Sequence, residues 1–121
     1  MPTNVTRGSE ERAFDIVNLI VGVALALTPW VLGYTATMAA AWNAWVVGAI
    51  IALVAIGALV AFAEWEEWVN LVLGLWAIVS PWLLGFSAVT GAVWAHVIAG
   101  IIVAVLAGLE LWYVRGRTST A

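Results

Sequence analysis

TPWVLGY at residues 28–34 returns as SPWLLGF at residues 80–86, so each residue of the second stretch is numbered 52 higher than its counterpart. The same offset continues without a gap on both sides of the motif. It pairs Asn18 with Asn70, Gly22 with Gly74, Trp42 with Trp94 and Gly48 with Gly100. A period of about 50 residues is typical of a chain built from copies of one structural unit. The sequence therefore predicts two copies of the same unit.

The composition is that of a membrane protein. Of the 121 residues, 65% are hydrophobic and only 9% are charged, whereas soluble domains carry about 25% charged residues. A helical bilayer span needs about 20 mostly apolar residues. The chain therefore has room for about four spans and little else, which excludes a separate soluble domain.

Four apolar runs follow one another along the chain. They cover about Ala13–Gly33, Trp42–Ala63, Trp68–Phe86 and Val93–Val114. The first repeat then occupies residues 13–63 and the second residues 64–114, with polar tails at 1–12 and 115–121. The predicted fold is all-α: a four-helix transmembrane bundle made of two parallel two-span repeats. Parallel repeats are related by an axis along the membrane normal.

The charged residues predict the orientation. All four cations are arginines and all lie in the two tails, whereas the loops after the first and third runs carry no charge. The positive-inside rule then predicts a multi-pass protein of the cytoplasmic membrane with both termini in the cytoplasm. The few basic residues argue against a nucleic acid partner. Besides the lipid bilayer, we expect a homo-oligomer or another membrane protein as the partner, because four short spans bury few helix faces.

The tripeptide Ser80-Pro81-Trp82 within a duplicated two-span unit resembles the SPW repeat family of small integral membrane proteins. The first copy differs by Thr28 in place of the serine, and the resemblance covers about Phe14 to Tyr113. It implies a four-span bundle in the cytoplasmic membrane. It carries over no activity and no catalytic residue.

Each proline of the motif is expected to free one backbone carbonyl. Pro29 lacks the N–H that would bond to the carbonyl of Leu25, and Pro81 repeats the arrangement. A freed carbonyl in a membrane needs another partner. The hydroxyls of Thr28 and Ser80 stand beside the breaks and are candidates.

The motif admits two interpretations. One is a kinked hinge or a small cavity beside the loosened turn. The other, which we favour, is helix shaping combined with anchoring, because Trp30 and Trp82 fall near the expected outer interface, where indole rings are enriched.

Small residues recur at every fourth position of the second and fourth runs. The rows are Ala40, Ala44, Gly48 and Ala52, and Ala92, Gly100, Ala104 and Gly108. Such rows let helix backbones approach closely in lipid. We expect these two helices to hold the bundle together across the twofold axis, with a substrate groove as the alternative.

Asn18 and Asn70 are matched polar residues inside the first and third runs. Each precedes a glycine by four residues, so the amide and the glycine share one helix face. The two amides form either a polar ring that binds a ligand or, in the interpretation that we favour, interhelical hydrogen bonds.

His96 and Glu110 have no polar counterpart in the first repeat. His96, the only histidine, is either a proton carrier or cofactor ligand, or a side chain that is hydrogen-bonded at a helix interface. Glu110 lies 14 residues further along, about 21 Å on a helix, and shares a face with His96. One interpretation places Glu110 on a proton path. In the other, which we expect, its side chain reaches towards the interface near Arg115.

Other polar features point to structure rather than chemistry. The linker EWEEW at residues 64–68 resembles a cation site, but we expect a solvated turn flanked by anchoring tryptophans. Trp76, opposite Ala24 of the first copy, is expected to face lipid or a partner. The sequence shows no catalytic motif and no carboxylates that face each other inside a span. We therefore expect no enzyme activity, cofactor or metal.

The functional expectation from sequence is a structural or accessory membrane subunit. It would associate with itself or join a larger membrane complex. The alternative is a small oligomeric transporter or channel, with Asn18, Asn70 and the proline-broken turns along its path.

Overall fold

The computed structural model describes residues 12–61 and 64–120, with the side chains of 64 and 113–120 excepted. It contains four helices: α1 Arg12–Val31, α2 Met38–Val60, α3 Glu64–Leu83 and α4 Thr90–Thr120. No strand occurs in the described ranges. The prediction of an all-α four-helix fold is confirmed, while the predicted polar tail at 1–12 lies almost wholly outside these ranges.

Within the described ranges, three helices are long and apolar enough to cross a bilayer. They are α1, α2 and the Thr90–Trp112 part of α4. The first turn of α3 carries Glu64, Glu66 and Glu67, so its apolar stretch begins only at Trp68. That stretch is about 24 Å long, somewhat less than the roughly 30 Å of bilayer hydrocarbon. Composition alone therefore supports three spans, and the fourth stays a prediction.

The helix bounds differ from the apolar runs: α1, α2 and α3 end two or three residues before their runs do, and the other helix ends extend beyond them. α2 begins at Met38 rather than at Trp42, and α4 continues through Thr120 rather than ending at 114. Hydrophobicity marks where a chain contacts lipid, whereas helical hydrogen bonds continue into the interface. For the same reason the predicted turn at 64–68 is wrong: these residues form the start of α3, and Glu66 and Glu67 are buried.

Glycines bring the two helices of each hairpin into backbone contact. A Cβ atom on Gly22 of α1 would lie 2.7 Å from the backbone oxygen of Gly48 on α2. In the second hairpin, a Cβ atom on Gly74 would lie 2.8 Å from the backbone oxygen of Gly100. No side chain fits at such distances, so these glycines permit the close packing that stabilises helices in lipid.

The small-residue rows of α2 and α4 therefore do not pack against each other. The expected α2–α4 contact is wrong: α2 packs mainly on α1, and α4 mainly on α3. Short loops make consecutive helices antiparallel neighbours, and the glycines on α1 and α3 complete these contacts. At Gly108, the end of the α4 row, an added Cβ atom would have no described atom of another helix within 4 Å.

The four helices form a ring in chain order. Besides the two hairpin contacts, α1 packs on α4 and α2 packs on α3. The repeat pairs α1 with α3 and α2 with α4, so the α1–α4 contact of one copy corresponds to the α2–α3 contact of the other. The pattern fits two parallel repeats, and the twofold relation between the hairpins stays a prediction.

An apolar layer fills the middle of the ring. Leu25, Ile51, Ala77 and Val103 are at most 1% exposed. Ile51 and Val103 occupy matched positions of the two copies, as do Leu25 and Ala77. Polar side chains lie on either side of this layer, so it divides the buried polar groups into two sets.

Candidate functional site

Each motif hydroxyl donates a hydrogen bond to the carbonyl that the following proline leaves free. Thr28 Oγ1 donates to the carbonyl oxygen of Leu25 at 2.7 Å. Ser80 Oγ donates to that of Ala77 at 3.0 Å. Serine and threonine are thus equivalent here, since only the hydroxyl is used.

The glycine of the motif ends the helix. Gly33 and Gly85 have φ values of +76° and +81°, in the left-handed region that glycine adopts without a steric penalty. The Tyr34 N–H then donates to the carbonyl of Pro29 at 2.9 Å, and Phe86 repeats this bond at 2.8 Å. This is the Schellman arrangement of a helix C-terminus.

This helix ending turns one aromatic ring of each copy into the bundle. Tyr34 and Phe86 are buried, whereas Trp30 and Trp82 point outward and are about 60% exposed. Exposed indoles at a span end are typical of interfacial anchors. The geometry accords with the helix-shaping and anchoring interpretation of the motif.

His96 lies between the two inward-turned rings. Its ring centroid is 6.5 Å from that of Tyr34 and 5.0 Å from that of Phe86. Nδ1 lies 2.8 Å from the carbonyl oxygen of Ala92 and donates to it, which leaves the buried Nε2 without a hydrogen-bond partner among the described residues. The histidine thus belongs to the packed outer end of the bundle.

Tyr34 closes a small hydrogen-bond chain beside this histidine. Its hydroxyl lies 2.5 Å from Thr28 Oγ1, and it acts as the donor because the threonine proton is used by Leu25. Burial raises the pKa of Tyr34 above its ordinary value of 10.0, against a smaller lowering by the Thr28 hydrogen bond. The phenol is therefore neutral at physiological pH.

A polar network joins α2 to α3. Trp76 Nε1 donates to Asn43 Oδ1 at 2.9 Å, and Asn43 Nδ2 donates to Ser80 Oγ at 3.0 Å. The expectation that Trp76 faces lipid or a partner is wrong, because the indole packs against the core and bonds across the helix interface. Sequence reasoning missed Asn43; the available signal was that its counterpart is Ala95.

The matching interface between α1 and α4 lacks this network. Ala24 stands where α3 has Trp76, and Ala95 stands where α2 has Asn43. An open groove of about 280 Å³ lies there, lined by Ala24, Ala95 and their apolar neighbours with Thr28. The two interfaces therefore differ by the indole of Trp76 and the amide side chain of Asn43.

Three buried carboxylates meet on the other side of the apolar layer. Asp15, Glu67 and Glu110 each place one carboxylate oxygen within 4.8 Å of the other two. All three side chains are fully buried. We refer to these residues as the carboxylate cluster; α1, α3 and α4 contribute one member each.

The carboxylate cluster overturns two sequence expectations. Glu110 is buried in the bundle and does not extend to the interface, and the side chain of Arg115 lies outside the described residues. Carboxylates do come together near the ends of the spans, contrary to expectation. The signal was present: Glu67 is Asp15 shifted by 52, and acidic residues at both positions begin the buried face of their helices.

Asn18 and Asn70 lie on that same face, one turn beyond the carboxylates of their helices. Both are fully buried, and neither the amide nitrogen nor the amide oxygen of either residue has a hydrogen-bond partner among the described residues. The interhelical hydrogen bonds expected from sequence are absent there. Such groups are costly in a bundle interior and call for a ligand or an ordered water.

The described polar side chains around His96 do not contact the carboxylate cluster. Glu110 and His96 are separated by 14 residues of α4, or about 21 Å. The fully buried Leu25, Ile51 and Val103 lie between them. The proton path considered from the sequence thus has no polar intermediate among the described side chains.

These observations define the class of the protein: a helical membrane bundle with a proline-glycine helix ending in each hairpin. The sequence profile of the family described as SPW repeat domain matches residues 12–110. The chain belongs to the SPW repeat family. The match includes both motifs and all three members of the carboxylate cluster. No curated protein and no solved structure shows significant similarity to the chain.

Proposed function

We propose that the protein is a non-enzymatic structural or accessory membrane subunit that associates with further copies of itself. The observation that carries this proposal is the open α1–α4 groove. Its counterpart between α2 and α3 is filled by Trp76. The α1–α4 interface therefore lacks the aromatic packing that Trp76 provides at the α2–α3 interface.

An aromatic side chain from a second copy suits this groove. A cavity of about 150 Å³ is enough to bind benzene, and the groove measures about 280 Å³. The chain exposes several indoles on its outer surface, including Trp42, Trp94 and Trp112. Van der Waals packing is the main force between helices in lipid, and a symmetric dimer would fill both grooves at once.

Ala24→Trp is the variant that tests the proposal. It places the ring found at Trp76 into the vacant groove, so we expect self-association to fall at least about tenfold, a loss of about 1.4 kcal/mol. Energy transfer between labelled copies in lipid vesicles measures the association. Leu53→Trp, at a 66% exposed position on α2, is the matched control and should associate like the wild type. Equal association of wild type and Ala24→Trp would refute the role of the groove. If lipid alone fills the groove, the wild type and both variants should be monomers.

We also propose that both termini lie in the cytoplasm, on the strength of the arginines in the tails. Because the sequence has no cysteine, one introduced thiol is a unique label. A membrane-impermeant maleimide should label Ser87→Cys, in the exposed loop after α3, on intact cells. Ser9→Cys should react only after the cells are permeabilised. The reverse pattern would contradict this orientation.

A small oligomeric transporter or channel is the second candidate. The buried amides of Asn18 and Asn70 favour it, because they have no hydrogen-bond partner within the described ranges. The apolar layer at Leu25, Ile51 and Val103 opposes a continuous path. In this alternative, Asn70→Leu abolishes ion or solute flux into vesicles and leaves assembly intact. In the accessory role, neither wild type nor variant conducts.

A further inference from the structure

We infer that the carboxylate cluster, together with Asn18 and Asn70, binds one divalent cation of the oxygen-preferring class, such as Ca²⁺. No part of the proposed self-association requires this site. The inference combines two independent observations. One is the spacing of the carboxylates, and the other is the pair of buried amides, which have no hydrogen-bond partner among the described residues.

The spacing of the carboxylates suits a cation of this class. Their oxygens lie within 4.8 Å of one another. Ca²⁺ binds oxygen at about 2.3–2.6 Å, so two of its ligands can be at most about 4.6–5.2 Å apart. Ca²⁺ therefore fits with little movement, and the smaller Mg²⁺ or Mn²⁺ would fit after a slight contraction. A cation also converts the mutual repulsion of buried carboxylates into attraction.

Helix geometry directs each asparagine towards the carboxylate that precedes it on the same helix. Asn18 follows Asp15 by three residues and Asn70 follows Glu67 by three, so each pair shares a helix face. Helical side chains lean towards the N-terminus of their helix and cover the preceding turn, which is where Asp15 and Glu67 lie. Both amides are fully buried and have no hydrogen-bond partner in the part of the chain that the structure describes. Amide oxygens are ordinary ligands of Ca²⁺.

The donor set selects the type of cation. It offers three carboxylates and two amides, with no thiolate or imidazole. Oxygen-only sites suit Ca²⁺, Mg²⁺ and Mn²⁺, whereas zinc and copper favour nitrogen and sulfur. His96 is about 21 Å away along α4 and does not contribute.

The position of the site gives the cation a structural role. Asp15 and Asn18 belong to the first hairpin, whereas Glu67, Asn70 and Glu110 belong to the second. A bound cation would therefore connect α1 to α3 and α4, where the packing is less extensive than within a hairpin. We expect binding to stabilise the assembled bundle, since a ligand of the folded state raises its stability.

The test is a titration of the purified full-length protein with Ca²⁺ after removal of metals by EDTA. We expect saturable binding of one Ca²⁺ per chain by calorimetry, with a rise in the thermal unfolding midpoint. Terbium luminescence excited through tryptophan provides a second readout, which Ca²⁺ should displace. These wild-type measurements do not depend on the folding of any variant.

Variants assign the binding to these residues. Asp15→Asn, Glu67→Gln and Glu110→Gln should each weaken Ca²⁺ binding at least tenfold, because each removes one ligand charge with little change of shape. Glu66→Gln is the matched control: Glu66 is 6% exposed, and its Oε2 would lie 2.9 Å from a Cβ atom on Gly57, in contact with α2. It should bind like the wild type.

Two results would overturn the inference. One is a wild-type unfolding midpoint that does not change on addition of Ca²⁺, Mg²⁺ or Mn²⁺. A Glu67→Gln variant more stable than the wild type would then indicate that the carboxylates share protons instead of a cation. The other is an equal loss of binding in Glu66→Gln and Glu67→Gln, which would indicate nonspecific attraction to acidic residues.

Discussion

Gly48→Leu is expected to break the packing of α1 on α2. A Cβ atom at position 48 would lie 2.6 Å from the backbone oxygen of Gly22 and 2.7 Å from the backbone nitrogen of Ala26. Both are main-chain atoms, so the helices would have to separate. Overpacking usually costs about 1–3 kcal/mol; we expect about 3 kcal/mol or more here, because a whole leucine must be accommodated.

The loss should appear as a lower midpoint in denaturant or thermal unfolding of the protein in mild detergent. Gly100→Leu should behave alike, since a Cβ atom there would lie 2.5 Å from the backbone oxygen of Gly74. Gly108→Leu is the control: no atom lies near its Cβ position, so we expect a change within about 0.5 kcal/mol. If Gly48→Leu were as stable as Gly108→Leu, the described hairpin packing would be wrong.

Trp76→Ala has the second largest expected effect. The substitution empties the α2–α3 interface and removes the donor to Asn43 Oδ1. Replacing a tryptophan in a core by alanine costs about 3–5 kcal/mol. We expect about 3 kcal/mol, the lower end, because Trp76 is only partly buried.

Trp76→Phe separates the contribution of the ring from that of the hydrogen bond. It retains much of the aromatic packing and loses the indole N–H, so we expect a loss of only about 1 kcal/mol. Both variants are compared by unfolding midpoint under identical detergent conditions. Equal stability of wild type, Trp76→Ala and Trp76→Phe would instead support the lipid-facing position suggested by the sequence.

The sequence predicted the local features well because the repeat supplied each observation twice. The paired Pro29 and Pro81 pointed to carbonyls that need a partner, and the adjacent Thr28 and Ser80 provide it. These are short-range interactions within one helix, and helix geometry alone relates the residues involved. The role of Gly33 in ending α1 could have been read from the same motif.

The carboxylate cluster is not predicted by the usual rule that charged side chains near a span end are exposed to solvent. Helical periodicity contained a better signal: Asp15, Asn18, Gly22, Leu25 and Pro29 recur at intervals of three and four residues, and all are buried. Their counterparts on α3 follow the same spacing. Glu110 was beyond reach of this reasoning, since its counterpart Ala58 is apolar and only the packing of α4 brings it to the other two carboxylates.

The helix partners were also mispredicted. Small-residue rows show that a helix packs closely, but not on which neighbour. The glycines of α1 and α3 are single positions, Gly22 and Gly74, so they formed no visible row. Chain connectivity predicts the observed partners, because a short loop favours contact between consecutive helices.

Native mass spectrometry of the protein released from mild detergent tests most directly whether it acts by association rather than by chemistry. The proposed function predicts a homo-oligomer for the wild type, a smaller oligomeric fraction for Ala24→Trp at the same concentration, and no retained organic cofactor or substrate. A monomeric wild type that retains such a non-lipid mass would contradict it.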